Sequence, residues 1–274
     1  MIINSVKTAY GLKIDIARKL NVVYKPLLNT TINERLNILP NYEIVDKIYP
    51  TLNTLMIGVG GTPLTGNSSL NLRRANHSVK DGFLFKNIPM LVKPMGTQLT
   101  EFEKTTYRLK RVENTLNGDY DCYYGLVLDN FTYDNNIYKI NNIVSTPNMS
   151  RIDTETDNSI LSPVPVVNKD LASFNGEYIV NTAKVNIILT PDIINNITEG
   201  NVLINPDLNI NNITEIALCT SIEVDSDYGK EMAWCQVDYF IDVNLDMQTI
   251  LNTMPDNKTM SYMIDIGGME PLAL

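Results

Sequence analysis

The sequence has few of the residues that build metal and redox sites. It contains three cysteines and one histidine in 274 residues. Cys122, Cys219 and Cys235 lie far apart and form no Cys-x-x-Cys pair, which excludes the usual zinc and thiol-redox motifs. Each cysteine falls in a strand-like segment, and this predicts small, buried, apolar side chains. We expect no cofactor and no metal, because a transition-metal site would have to rely on carboxylates alone.

Long apolar runs and targeting signals are also missing. No stretch approaches the roughly 18 apolar residues of a membrane span, and the longest apolar runs are as short as Leu55-Met56-Ile57. Residues 1–17 lack the basic and apolar regions of a signal peptide. We therefore expect no membrane partner and synthesis in the cytoplasm of the host cell.

No motif carries recognisable catalytic chemistry. His77 has no Gly-x-Ser-x-Gly elbow beside it, and its setting between Arg74 and Ser78 predicts a histidine in a surface loop. The glycine-rich run 58–66 lacks the lysine and hydroxyl residue of a phosphate-binding loop, which predicts an ordinary turn. The acidic segment 225–231 does not have the spacing of a calcium loop. The sequence therefore predicts no enzyme and no catalytic residues.

Charge is divided between the two ends of the chain. Residues 1–118 hold 16 lysines and arginines against 8 acidic residues, a balance of +8, whereas residues 119–274 hold 6 against 23, a balance of −17. Two surfaces of opposite sign indicate a polyanion on the basic side or a second copy of the chain, while pairing within one chain is the alternative. The candidate interface residues are the densest basic groups: Arg73, Arg74, Lys104, Arg108, Lys110 and Arg111.

Residues 105–128 form a predicted β-hairpin. Tyr107 and Leu109 alternate with Arg108 and Lys110, and Asn117-Gly118 supplies a turn suited to positive φ. A helix over Thr100–Asn114 is the competing interpretation, because Thr100 could cap it and Glu103 could complete a capping box.

Strand signals dominate the rest of the chain, and helices are few. Further strands are predicted at Tyr138–Ile143, Glu177–Leu189, Glu215–Val224 and Ala233–Val243. The last of these is apolar on both faces and carries Trp234, so we expect it to be covered on both sides. Helices are predicted at Val6–Leu20, from Thr190 with Pro191 at the first position, and at Asp246–Thr253. The fold class is mainly β with a few short helices, an antiparallel sandwich or barrel-like arrangement.

Two polar segments interrupt these elements, at Gly58–Asn71 and Ser145–Pro165, and both are predicted loops. The second suggests a division into a basic lobe at 1–145, a linker at 146–165 and an acidic β-rich lobe at 166–274. One continuous domain is the alternative.

Two stretches resemble structural proteins of the neck, collar and tail of tailed bacteriophages. The first is Ile88–Thr100 followed by Tyr107–Arg111 and Tyr120–Leu128, and the second is Ile213–Thr220 followed by the strand through Trp234. The resemblance implies a β-rich virion subunit in a ring at the head–tail connection, and it carries no functional residues to this chain.

We therefore expect a non-enzymatic structural subunit of the virion. Its partners would be copies of itself in a cyclic ring, other virion proteins and, through non-specific contacts, packaged DNA. One alternative is a tail-associated carbohydrate-binding or hydrolytic β-domain. Another is a non-specific nucleic-acid-binding module.

Overall fold

The computed structural model describes residues 5–22, 30–36, 50–63, 73–74, 76–128, 131–141, 148–152, 177–206, 212–226, 229–246 and 260–271. Within these residues the chain is mainly β with four short helices, as predicted. The strands are β1 (Ser5–Lys7), β2 (Thr51–Gly58), β3 (Thr62–Pro63), β4 (Arg73–Arg74), β5 (Asn87–Ile88), β6 (Leu91–Pro94), β7 (Tyr107–Thr115), β8 (Gly118–Val127), β9 (Phe131–Asn141), β10 (Asn148–Ile152), β11 (Glu177–Leu189), β12 (Asn212–Ser226), β13 (Gly229–Asp246) and β14 (Met260–Pro271). The helices are α1 (Ala9–Lys19), α2 (Thr31–Leu36), α3 (Glu101–Thr106) and α4 (Pro191–Ile204).

The chain forms two compact units. Unit 1 comprises Met1–Asp129 and Ile188–Ser261, and unit 2 comprises Asn130–Ile187 and Tyr262–Leu274. The predicted lobes at 1–145 and 166–274 stay a prediction, because most of the proposed linker lies outside the described residues. The predicted loop at Ser145–Pro165 is wrong in one part, since β10 occupies Asn148–Ile152 and pairs with β9.

Unit 1 contains an open antiparallel sheet of eight described strands. Its main path runs β1-β13-β12-β2-β8-β6, while β5 pairs with β2 and β7 pairs with β8. Unit 2 contains a four-stranded sheet in the order β10-β9-β11-β14. A separate two-stranded sheet joins β3 to β4. The predicted loop at Gly58–Asn71 is therefore wrong at Gly58, which ends β2, and at Thr62–Pro63, which form β3.

The longest hairpin, β12–β13, lies at the centre of unit 1. Buried residues run without a break from Ile213 to Ile222 and from Met232 to Ile241. Cys235 and Val237 belong to a large apolar cluster, whereas Trp234 packs with Ile14 and Ile222 under α1. The predictions that this strand is covered on both faces, that Trp234 is buried and that all three cysteines are buried are confirmed.

The predicted hairpin is present in residues 107–127, whereas the competing helix over Thr100–Asn114 is confirmed only in its first turns. Thr100 caps α3 and forms the capping box with Glu103, so the competing helix exists as a helix of six residues. It ends at Thr106 because the backbone of Tyr107 is extended, and β7 begins there and pairs with β8. Gly118 has φ of +132° at the predicted turn.

Helices α4 and α1 each begin after a capping threonine. Thr190 caps α4 with Pro191 in the first turn, as predicted. In α1 the cap is Thr8, whose hydroxyl accepts a bond from the Gly11 amide. The helix predicted at Asp246–Thr253 lies outside the described residues apart from Asp246, which ends β13.

Replacing Gly11 in α1 by alanine should destabilise the protein, although the same change inside a helix normally stabilises it. Gly→Ala inside a helix normally stabilises by about 1 kcal/mol. Here an added Cβ would lie 1.7 Å from Oδ1 of Asp238. We expect Gly11→Ala to reduce the free energy of unfolding by about 1–3 kcal/mol, as overpacking does. Urea denaturation measures it, with exposed Lys19→Ala as the control; a stabilised Gly11→Ala protein would contradict the close contact.

Candidate functional site

A buried carboxylate joins three segments of unit 1. The Glu215 side chain on β12 is fully buried and accepts four hydrogen bonds. Backbone amides of Gly60 and Lys86 donate to Oε1 at 2.9 and 3.0 Å, and the amide of Phe85 donates to Oε2 at 3.0 Å. Nε2 of His77 lies 2.7 Å from Oε2 and supplies the fourth bond.

The His77 ring is enclosed by two aromatic rings and two carboxylates. Its ring stacks on Phe240 at 3.9 Å and on Phe85 at 4.5 Å between ring centroids. Nδ1 lies 3.4 Å from Oδ2 of Asp81. The prediction of a surface-loop histidine is therefore wrong: the His77 side chain has no exposed surface. The sequence could not show this, because Glu215 lies 138 residues further along the chain and Phe240 lies beyond it.

The glycine-rich run at 58–66 takes part in the same network. A Cβ at Gly60 would lie 2.2 Å from Cβ of Phe85 and 2.6 Å from Oε1 of Glu215, so only glycine allows the backbone this close. The run thus binds an anion, but the anion is a carboxylate of the protein itself. The sequence did offer one signal for this network, a single Glu within the mostly apolar residues 213–219. A carboxylate buried in such a strand requires hydrogen-bond donors around it.

The Glu215 network is suited to holding the fold. Burial alone would raise the pKa of the Glu215 carboxyl, but the bonds from His77, Lys86, Phe85 and Gly60 outweigh it, and the pKa lies below its ordinary value. A general base needs a pKa near the working pH and a lone pair free for the substrate. Glu215 has neither property, because it stays ionised and both its oxygens already accept two bonds each.

A second feature of unit 1 is a cavity of about 920 Å³ beside β7, here named the cationic cavity. Five cations and two carboxylates line it, together with Tyr107, Leu109 and Tyr123. The charged residues are Lys104, Arg108, Lys110, Arg111, Lys230, Asp121 and Glu231. The structure therefore brings four of the six predicted interface residues to one site. Arg73 and Arg74 lie on β4.

Arg108 forms the buried part of the cavity wall. It is only 6% exposed. Its Nε donates to Oε1 of Glu223 at 2.9 Å, and its Nη1 donates to the carbonyls of Lys104 and Tyr107 at 2.7 and 2.9 Å. Because the guanidinium is fixed by these bonds, Arg108 joins the basic part of the chain to the acidic part within one molecule.

The remaining cavity cations are more accessible, and each has a partner. Nζ of Lys110 lies 2.9 Å from Oδ2 of buried Asp121. Nη1 of Arg111 donates to the Arg35 carbonyl at 2.6 Å. Nζ of Lys104 lies 2.7 Å from exposed Glu101, and Nζ of Lys230 lies 3.9 Å from Glu223. Side-chain exposure is 51% for Lys110 and 59% for Lys230.

A third polar group, Asp238 on β13, lies under α1. Burial raises the pKa of its carboxyl to about 6, against the opposing effect of nearby Lys7. Lys7 itself pairs with Asp15, and its Nζ lies 2.9 Å from the Tyr239 hydroxyl. Ionisation of Asp238 therefore destabilises the folded protein.

Two further findings concern the described residues alone. They contain no group of three or more His, Cys, Asp or Glu residues arranged to hold a metal ion. None of their helices has both the length and the apolar character needed to cross a membrane.

Comparison with known proteins yields a family and no function. A family model described as "Family of unknown function (DUF7208)" matches residues 2–274. No curated protein matches the chain, and no solved structure matches it.

Replacing Glu215 by Gln should strongly destabilise the protein at neutral pH. The amide keeps the shape but turns one acceptor into a donor that faces backbone amides. Breaking a buried ionic network of this kind costs about 3–5 kcal/mol. Because the folded pKa is depressed, the stabilisation is present above the unfolded pKa of about 4.3 and is lost as pH falls further.

Urea denaturation at pH 7 and at pH 3–4 measures both effects of Glu215→Gln, and exposed Glu101→Gln is the matched control. The difference from wild type should shrink at the acid end. An equal difference at both pH values would show that the charge of Glu215 is not what stabilises the network.

Replacing Asp238 by Asn should stabilise the protein at neutral pH, which is the opposite of the effect expected for Glu215→Gln. A carboxyl whose pKa is raised in the folded state gives most stability when protonated, and that stability is lost as pH rises from about 4 to about 6. We expect Asp238→Asn to gain about 1–3 kcal/mol at pH 7 and nothing at pH 4. Thermal unfolding at both pH values tests this, with exposed Asp225→Asn as control. A loss of stability at pH 7 would contradict it.

Proposed function

We propose a structural role for this chain, which belongs to the DUF7208 family of unknown function. The role is that of a non-enzymatic subunit of a tailed-phage virion, assembled with copies of itself into a ring in the neck, collar or tail. The proposal also includes synthesis in the host cytoplasm, other virion proteins as neighbours and non-specific contact with packaged DNA. The resemblance of residues 88–128 and 213–234 to such proteins motivates it, and one surface of unit 1 supports it.

That surface is an apolar stripe on α1. Leu12, Ile16 and Leu20 follow one another at intervals of four residues and are 46%, 56% and 66% exposed. Residues spaced by four are neighbours on a helix surface, so these side chains form one continuous stripe. The opposite face of α1 is also apolar, since Ile14 and Ala17 are buried. A helix that is apolar on both faces is typical of one that is covered on both.

A second copy of the chain is the partner that suits the stripe. Arg18 and Lys19 stand in the last turn of α1, and the chain as a whole carries −9. Another copy therefore offers acidic groups for these cations as well as apolar surface. In a ring the contact is heterologous, so the stripe meets a different patch of its neighbour.

The stripe would be the centre of a larger contact. Stable interfaces bury at least about 1,000 Å² in total, which three side chains do not provide. Other large apolar side chains of unit 1 are also exposed and could extend it. Among them are Val22, Val79, Phe85, Met95, Phe102, Val112 and Leu116.

The polar networks favour a structural role over an enzymatic one. Glu215 is ionised and has no oxygen left for a substrate, and His77 is enclosed by two aromatic rings and two carboxylates. Arg108 is likewise occupied by three bonds within the chain. Each of these groups stabilises the position of a loop or strand.

Replacing Leu12 and Ile16 together by Gln should weaken self-association and leave the fold intact. Both side chains are about half exposed, and Gln is a good helix former, so the helix should persist. Size-exclusion chromatography with light scattering should show the wild type as a multimer and the double variant shifted to a smaller species. Circular dichroism confirms that the variant is folded.

The matched control is Val202→Gln with Leu203→Gln, which makes the same chemical change at exposed positions of α4. It should assemble as the wild type does. A wild-type protein that is monomeric in solution and in its native particle would end the structural proposal. A double α1 variant that assembles normally would remove the stripe from it.

A further inference from the structure

We propose that Asn117 is a site of spontaneous deamidation, where the exposed turn between β7 and β8 is converted over time to aspartate and isoaspartate. Thr115, which ends β7, pairs with Gly118, which begins β8. Asn117 and Gly118 are both exposed, so water reaches them freely. This chemistry is independent of the proposed function, because it needs neither a partner nor an assembly.

The reaction takes place within two residues and consumes only water. The backbone nitrogen of Gly118 attacks Cγ of the Asn117 side chain, and the new C–N bond closes a five-membered succinimide ring. The bond from Cγ to Nδ2 breaks, and the side-chain nitrogen leaves as ammonia with the proton that the backbone nitrogen has lost. Water then opens the ring at either carbonyl. One opening gives aspartate, and the other gives isoaspartate, whose backbone runs through the former side chain.

The residue after Asn117 leaves the attacking nitrogen uncrowded. Gly118 has no side chain, and apart from its chain neighbours no heavy atom lies within 4 Å of the position that a Cβ would take. Its φ of +132° is one that other residues rarely adopt. Glycine also allows the backbone to rotate into the geometry of attack, which a larger residue would restrict.

The Asn117 side chain is free to turn toward that nitrogen. Among the described residues none bonds to its amide group, and only its backbone is held, since the Asn117 N–H donates to Oγ1 of Thr115 at 3.2 Å. Asn114 on the same hairpin is also exposed, but its Nδ2 donates to Oδ1 of Asp119 at 2.8 Å. Asn114 is followed by Thr115, whose branched side chain crowds the backbone nitrogen. The hairpin therefore contains its own comparison site.

Other asparagines are protected or lie elsewhere. Asn201 in α4 is buried, and its Nδ2 donates to the carbonyls of Pro89 and Ile197 at 3.1 and 2.7 Å. The sequence has a second Asn-Gly pair, Asn175-Gly176, which lies outside the described residues. Asn117 is thus the asparagine for which sequence and described structure both favour the reaction.

The products would change the turn in two ways. Either product adds a negative charge beside exposed Asp119. Isoaspartate also lengthens the backbone between Thr115 and Gly118, which are joined by a bond from Oγ1 of Thr115 to the Gly118 carbonyl at 2.9 Å. Because the turn fixes the register of a hairpin, the added carbon should loosen the ends of β7 and β8.

The test is incubation of the folded wild-type protein, followed by peptide mapping with mass spectrometry. Deamidation is read from the mass gained when an NH2 group becomes OH, and fragment ions assign it to Asn117 or to Asn114. We expect Asn117 to react severalfold faster than Asn114 and to yield both aspartate and isoaspartate. The rate should rise with pH, because the attacking nitrogen must lose its proton. This comparison needs no variant to fold.

A synthetic peptide of residues 112–121 gives the rate of the unconstrained chain, and the folded protein should approach it at Asn117. Asn117→Gln should abolish the modification at this position, because the longer side chain would have to close a larger ring. Asn175→Gln is the matched control, since it makes the same change at the other Asn-Gly pair and should leave the rate at Asn117 as in the wild type.

Two results would overturn the inference. One is an Asn117 that stays intact in the folded protein, whether or not the peptide reacts. The other is a rate at Asn117 no faster than at Asn114, which would show that neither Gly118 nor the free amide group favours the reaction.

Discussion

The carboxylate of Glu215 is the interaction on which the packing of unit 1 depends. Taking an ionised carboxylate out of water costs several kcal/mol, and the fold offsets this with four donors. Three of the donors are backbone amides, so the network fixes the course of the chain at Gly60 and at Phe85–Lys86 as well as one side chain. His77 in turn brings Phe85 and Phe240 together across its ring. Strand β12 thereby positions the segments that adjoin the β2–β5 pairing.

The division of charge along the sequence has a partial explanation within one molecule. Arg108 reaches Glu223 across 115 residues, and His77 reaches Glu215 across 138. Arg108 and His77 are both buried, and burial with good geometry makes these contacts hard to exchange. Lys104 and Lys230 are different, because Glu101 is exposed and Glu223 lies 3.9 Å from Lys230, whereas Lys110 is held by buried Asp121.

Local sequence signals predicted the fold well where the interaction is local. Thr190-Pro191, Thr100 with Glu103 and Asn117-Gly118 act within a few residues, and each appears as a cap or a turn. The apolar content of Glu215–Val224 and Ala233–Val243 predicted two strands, and apolar residues in both registers of the second predicted that it is covered on both faces. The fold class followed from the same signals.

The candidate sites were predictable only in part, since they depend on distant contacts. Lys104, Arg108, Lys110 and Arg111 were grouped correctly by proximity in sequence, but nothing local distinguishes buried Arg108 from exposed Lys110. Between them Leu109 adopts a positive φ at a cost of about 1–3 kcal/mol, and Arg108 bonds to Glu223, which lies 115 residues further along the chain. The buried position of His77 was not predicted either, because Glu215 on β12 and Phe240 on β13 are distant from it in sequence.

The apolar and charged groups of α1 would have different parts in the proposed assembly. Exposed ion pairs contribute little affinity, so the apolar stripe on α1 would supply most of the stability of a contact between copies. Charged groups at an interface mainly set orientation and reject wrong partners. Arg18 and Lys19 in the last turn of α1 would therefore influence which neighbour docks and in which direction. A ring requires this, because a heterologous contact closes only when every copy joins its neighbour with the same rotation.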